Sequence, residues 1–226
     1  MIQRVLAIGL IAGLAAGLAI AALQHVTTTP LIVAAEIYET AQHGHDEPAS
    51  GDWKPPVDGE RTAATSIATI ATASGYALIL LAMMLMAGDA IEPRRAVAWA
   101  ACGFAATGLA TGLGLAPQLP GAAESDLALR QIWWAATAAA TGAGLFALLR
   151  RDETIAKVFG ALLIAAPHLV GAPQAAAPQS TVPAELAAHF AASSLAVQGA
   201  TWILSGALVG VLWREFAAID ALKSRH

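Results

Sequence analysis

The sequence predicts an all-α integral membrane protein. Its expected form is a six-helix transmembrane bundle with a short fifth segment broken by proline and a long outer loop after the first helix. Three observations predict it. The 226-residue chain is 57% hydrophobic and 12% charged, about half the charge of an ordinary soluble domain, and its mean hydropathy is +0.62. Five apolar stretches, 5–23, 64–87, 95–116, 128–149 and 188–213, reach the roughly 20 residues that a helix needs to cross a bilayer core. With the N-terminus inside, the cytoplasmic segments hold nine Lys and Arg (Arg4, Arg94, Arg95, Arg150, Arg151, Lys157, Arg214, Lys223 and Arg225), while Lys54, Arg61 and Arg130 fall outside. That is the positive-inside distribution. The composition also excludes other classes. The chain is too apolar to be disordered, and 12 basic residues against 16 acidic ones leave no basic stripe for nucleic acid. Cys102 is alone and forms no internal disulfide.

The first segment carries Gly9, Gly13 and Gly17 at i, i+4 and i+8, a helix-packing face. Arg4 and the Ala19-Ile20-Ala21 triplet also fit a cleaved signal peptide. Either way, residues 24–61 lie outside. This long segment opens with an amphipathic stretch from Pro30 to Gln42, suited to a surface helix. It continues as HGHDE at 43–47 and ends in coil rich in Pro and Gly around Trp53 and Pro55. Loops of that length usually carry function.

The second segment has Met83, Met84 and Met86 near its inner end, and the third has Cys102. Together they could form a soft copper site, or simply pack. Ser125 is the expected N-cap of the fourth segment, with Trp133 and Trp134 in the interfacial belt. The fifth segment, 155–170, would span only about 24 Å and has Pro167 near its end. A Pro/Ala-rich outer loop, 166–187, leads to the sixth. Gly108/Gly112 and Gly206/Gly210 are further helix-contact pairs. The whole chain, 1–226, is expected to form a single transmembrane domain.

Histidine is the informative residue type. His25, His43, His45, His168 and His189 all fall on the outer side or its boundary. His43 and His45 are followed by Asp46 and Glu47 and preceded by Glu36 and Glu39. Imidazole with carboxylate suits Co(II), Ni(II) and Zn(II), so this set is the candidate metal site. The alternative is a solvated acidic loop with incidental histidines. His168 stands in PHLVGAP at 167–173, where a helix break would expose carbonyls to an ion; the alternative is a polar cap on a frayed end. Hydroxyls within the spans, Thr107, Thr111, Thr137, Thr141, Thr201 and Ser205 among them, either line a path or bond their own helix. GxxxxGK[ST], HExxH and GxSxG motifs are absent from the sequence. No enzyme activity and no organic cofactor are expected.

These motifs carry a family resemblance. AAEIYET at 34–40, HGH at 43–45, WKPPVDGERT at 53–62, QLPG at 118–121 with Asp126-Leu127, RQIWW at 130–134, PHLVGAP at 167–173 and VPAEL at 182–186 occur in an order that resembles CbtA, the proposed cobalt transporter subunit of bacteria. The loop before Pro120 is shorter than the family's proline-rich version. The resemblance implies a multi-pass protein of the bacterial inner membrane and metal uptake linked to cobalamin synthesis. It also implies a small one-span, His-containing partner, CbtB. The expected function is inward movement of Co(II), captured by the outer His/carboxylate loop, with both termini cytoplasmic. The rival is a non-transporting scaffold or a metal-sensing or assembly protein whose outer loop binds a partner.

Overall fold

The computed structural model describes residues 2–42, 59–122, 125–175 and 180–223, with the backbone alone described at 39–42 and 220–223. All regular structure among the described residues is helical. In order the helices are α1 (Ile2–Val26), α2 (Thr28–Gln42), α3 (Gly59–Met86), α4 (Pro93–Phe104), α5 (Ala110–Gly112), α6 (Leu127–Arg150), α7 (Thr154–Val170) and α8 (Ala184–Lys223). A π-helical segment, Ala105–Leu109, joins α4 to α5.

Among the described residues four helices are long and apolar enough to cross a membrane: α1, α3, α6 and the Ala184–Ile219 part of α8. The six expected crossings are therefore not all met as unbroken α-helices. The third is divided by the π segment, in which Ala110 N–H donates to Ala105 O, five residues back. The fifth, α7, has 17 residues.

The chain divides into two compact units. The first comprises Met1–Val26, Trp53–Ala101 and Val197–His226. Here α1 lies along α3, and the expected glycine face makes the contact. A methyl group on Gly17 would stand 2.5 Å from Ile70 Cα, and one on Gly13 would overlap the Ser74 backbone. Only hydrogen at these positions lets the two backbones approach so closely. Ile8, Ala12, Ala16, Ala73, Ala77, Leu81 and Met84 are fully buried around this seam. Met84 is thus a packing residue, while Met83 and Met86 are exposed.

Gly206 and Gly210 of α8 play the same part against Ala96, Ala100 and Pro93. Arg4 Nη2 donates to Trp213 O at 2.7 Å, and its guanidinium lies 4.4 Å above the Trp213 ring. At the α3–α4 turn Asp89 accepts from Arg95 at 2.5 Å, Trp99 Nε1 at 2.9 Å and Ala90 N–H at 3.0 Å. These donors compensate a carboxylate that is only 5% exposed.

The second unit comprises Thr27–Asp52 and Cys102–Ala196. Its centre is α6, which packs against α7, the π segment and α5. At the α6–α7 crossing Gly144 faces Gly160, and a methyl on either would come within 2.5 or 2.7 Å of the other's carbonyl oxygen. One local expectation is corrected here. The N-cap of α6 is Asp126, whose Oδ1 accepts from Leu129 N–H at 2.9 Å, and not Ser125. Of the tryptophan pair, Trp133 is buried, 8% exposed, and Trp134 is the exposed member.

The fifth segment is short but is not broken by proline. Helix α7 runs through Pro167 to Val170 and stops at Gly171, whose φ of +86° and ψ of 152° suit glycine alone. Pro167 is tolerated because it lies in the last turn, where its missing N–H removes a single ladder bond. The Gly171 N–H still donates to Pro167 O at 3.0 Å.

Candidate functional site

The described polar corner of the second unit is built from the end of α7, the first half of α6 and the stretch after α5. His168 occupies the last turn of α7, half-buried, with its ring edge-on to Trp133 at a centroid distance of 6.1 Å and an angle of 74°. Trp133 Nε1 donates to Pro167 O at 3.3 Å, fixing the indole beside the histidine. Gly114 is glycine because a methyl there would run into the Trp133 ring. Arg130 Nη2, one turn before Trp133, donates to Gln118 Oε1 at 2.9 Å. His168 therefore does not sit in a helix break with displaced carbonyls. It projects from an intact terminal turn.

A second cluster gathers α2, the 113–122 stretch and the start of α8. Ala35, Leu119 and Val182 form its buried centre, with Ile32, Tyr38, Leu186, Ala187 and Phe190 around them. The hydroxyls of Ser180 and Thr181 donate to Gly121 O at 3.5 and 3.3 Å. The amphipathic stretch expected from Pro30 to Gln42 is thus a helix, and its docked face contains Ala35. This docking brings together the helices that carry Glu36 and His189; Glu36 is half-buried and His189 exposed. His25, exposed, lies near the end of α1 in the other unit.

His43, His45, Asp46 and Glu47 lie outside the described residues, as does the side chain of Glu39. Among the described residues no three His, Cys, Asp or Glu side chains converge to hold a metal ion.

Sequence reasoning did not separate out Thr137 and Thr141. Both are buried, 0% and 3% exposed, and neither hydroxyl meets a hydrogen-bond partner among the described residues. Trp133, Thr137, Thr141 and Gly144 make up the buried stripe of α6. The i, i+4, i+8 spacing of the first three was the available signal, hidden among many other intramembrane hydroxyls.

Four apolar helices of crossing length and the absence of strands among the described residues define a helical membrane protein. Residues 2–214 match the family described as "Probable cobalt transporter subunit (CbtA)", and the chain belongs to that family. No curated protein and no solved structure matches the chain. Membrane location, cobalt as the transported ion and the status of a subunit that works with a partner follow from this membership.

Proposed function

We propose that this chain is the membrane subunit of a Co(II) uptake system serving cobalamin synthesis, with the 24–61 segment outside as the ion-capturing loop. The observation that carries the reading is the family match over residues 2–214, joined to the HGHDE sequence at 43–47. Glu36, Glu39, His25, His168 and His189 are the further donors that could hand the ion on. The partner is a small one-span subunit of the CbtB type. Ni(II) and Zn(II) share the same ligand preferences and are competitors.

The proposed topology has six crossings, both termini in the cytoplasm of a bacterial inner membrane, and all of 1–226 as one membrane domain. Residues 93–112, through the π segment, are long enough at about 30 Å. Helix α7 crosses at about 26 Å if the bilayer thins locally. The nine-to-three division of Lys and Arg supports the orientation. No ATPase motif is needed, because an inside-negative potential supplies about 4.6 kcal/mol per 100 mV to a divalent cation.

The test uses purified full-length chain in liposomes, with and without the one-span partner, under an inside-negative potential. Wild type should accumulate Co(II). The His43→Ala/His45→Ala double variant should bind Co(II) about tenfold more weakly or worse. Because imidazole must be neutral to ligate, wild-type binding should fall as pH drops through about 6.5. Equal binding by the double variant would sink the capture role. Binding without flux would favour the scaffold.

A further inference from the structure

Several hydroxyls on the described helices bond their own helix, and two neighbouring ones on α6 do not. Thr72, Thr107, Thr111 and Thr201 each donate to the carbonyl four residues back, at 2.7 to 2.9 Å, and Ser66 does so at 2.7 Å. That is the default for hydroxyls in apolar surroundings. Thr137 and Thr141 are more deeply buried than most of these, yet they make no such bond. Ser205 on α8 is also unpartnered but stands singly, and Thr69 on α3 donates to Gln24 instead. An orphaned hydroxyl inside a membrane is costly unless water or an ion completes it.

The position of the pair adds a second, independent observation. Helix α6 runs from Leu127 to Arg150, and the two threonines flank its midpoint. The helix packs against the π segment Ala105–Leu109, where bonding has shifted to i→i+5. Such segments loosen the carbonyl ladder and recur at functional sites. Its neighbouring hydroxyl is spread over two acceptors: Thr111 Oγ1 lies 2.7 Å from Thr107 O and 3.4 Å from Gly108 O. One turn before Thr137, on the same buried stripe, is Trp133, against which His168 rests.

We infer that the buried face of α6 at Thr137 and Thr141 is a hydrated resting site, at mid-depth in the membrane, for a divalent cation that keeps part of its water shell. The inference rests on the metal-uptake reading and supplies its intramembrane leg. The two polar groups are neutral hydroxyl oxygens on a helix that packs against the π segment. Such groups stabilise a cation through dipoles without trapping it, as a conducting site requires. His168 stands at the head of the stripe, and the steps from Trp133 to Thr137 and on to Thr141 are each about 6 Å.

The experiment places single cysteines in full-length Cys102→Ala protein in liposomes. Thr137→Cys and Thr141→Cys should react with a small water-soluble methanethiosulfonate about tenfold faster than Ala139→Cys, an exposed position on the same helix, because the thiolate forms only in contact with water. Co(II) should slow both reactions. The near-isosteric Thr137→Val/Thr141→Val protein should fold as well as wild type yet lose about tenfold in Co(II) flux, with Thr→Ser at both positions retaining it. Reaction no faster than at Ala139→Cys, or wild-type flux in the double valine variant, would overturn the site. Fast reaction slowed by Co(II) in a protein that passes no Co(II) would sustain the site and refute the transport reading. Fast reaction unaffected by Co(II) would refute the ion site.

Discussion

Two of the helix pairs that glycine holds together in this protein, α1–α3 and α6–α7, are joined to different ends. The α1–α3 pair is joined along three successive turns, with Gly9, Gly13 and Gly17 set against Leu78, Ser74 and Ile70. One polar contact also lies within the pair: Thr69 Oγ1 donates to Gln24 Oε1 at 2.6 Å. The α6–α7 pair touches backbone to backbone at one point, Gly144 on Gly160. The rest of the α6 stripe carries an indole and two hydroxyls. A continuous glycine face leaves no room for anything but a helix. A single glycine crossing lets helices meet at one end of a stripe while the remainder keeps chemistry available. The first pair is an anchor, and the second unit holds the polar stripe.

The comparison can be broken most decisively at Gly13. Gly13→Val should force α1 from α3 and cost about 3 kcal/mol, because the added atoms meet the Ser74 backbone, which cannot yield as a side chain could. Unfolding in mixed micelles followed by tryptophan fluorescence measures this. Gly75→Ala, with nothing within 4 Å of the added methyl, should be neutral or stabilising by up to about 1 kcal/mol. Equal loss at Gly13 and Gly75 would end the account of α1–α3 as a packed seam.

Gly144→Ala should cost less, about 2 kcal/mol, since the methyl meets the Gly160 carbonyl and an Ile164 side chain that can yield, and α7 can shift on its exposed side. Gly142→Ala on the same helix meets open space and serves as the control. The smallest expected effect is that of Asp126→Ala, about 1 kcal/mol from loss of the α6 N-cap. Asp126→Asn should restore most of it. If Ser125→Ala were the more damaging change, the cap assignment would be wrong.

Much of this was legible in the sequence because it depends on local properties. Crossing length needs only a count of apolar residues, so α1, α3, α6 and α8 were foreseen as apolar segments, α6 nearly to its observed bounds and α8 ten residues short at its C-terminal end. The glycine faces at Gly9, Gly13 and Gly17 and at Gly206 and Gly210 follow from helical period alone. The Pro30 to Gln42 helix was likewise visible in its amphipathic pattern. The candidate site was less legible. His168 was recognisable as a residue, but its contact with Trp133 was not, since a tryptophan near a helix end carries no mark of which way it points.

By itself, then, the sequence determined that this is a helical membrane protein, which stretches are helical, and which faces bring backbones together. Those outcomes are set by hydrophobic length and by the absence of a side chain at regular spacing, and both act within one segment. Tertiary structure alone decided that α4 passes through a π segment before α5, that α7 survives Pro167 and stops at Gly171, and that Trp133, Thr137 and Thr141 turn inward. Each depends on what stands opposite. A hydroxyl bonded to its own helix and one withheld from it have the same sequence neighbours, and only the packing of α6 within its unit distinguishes them.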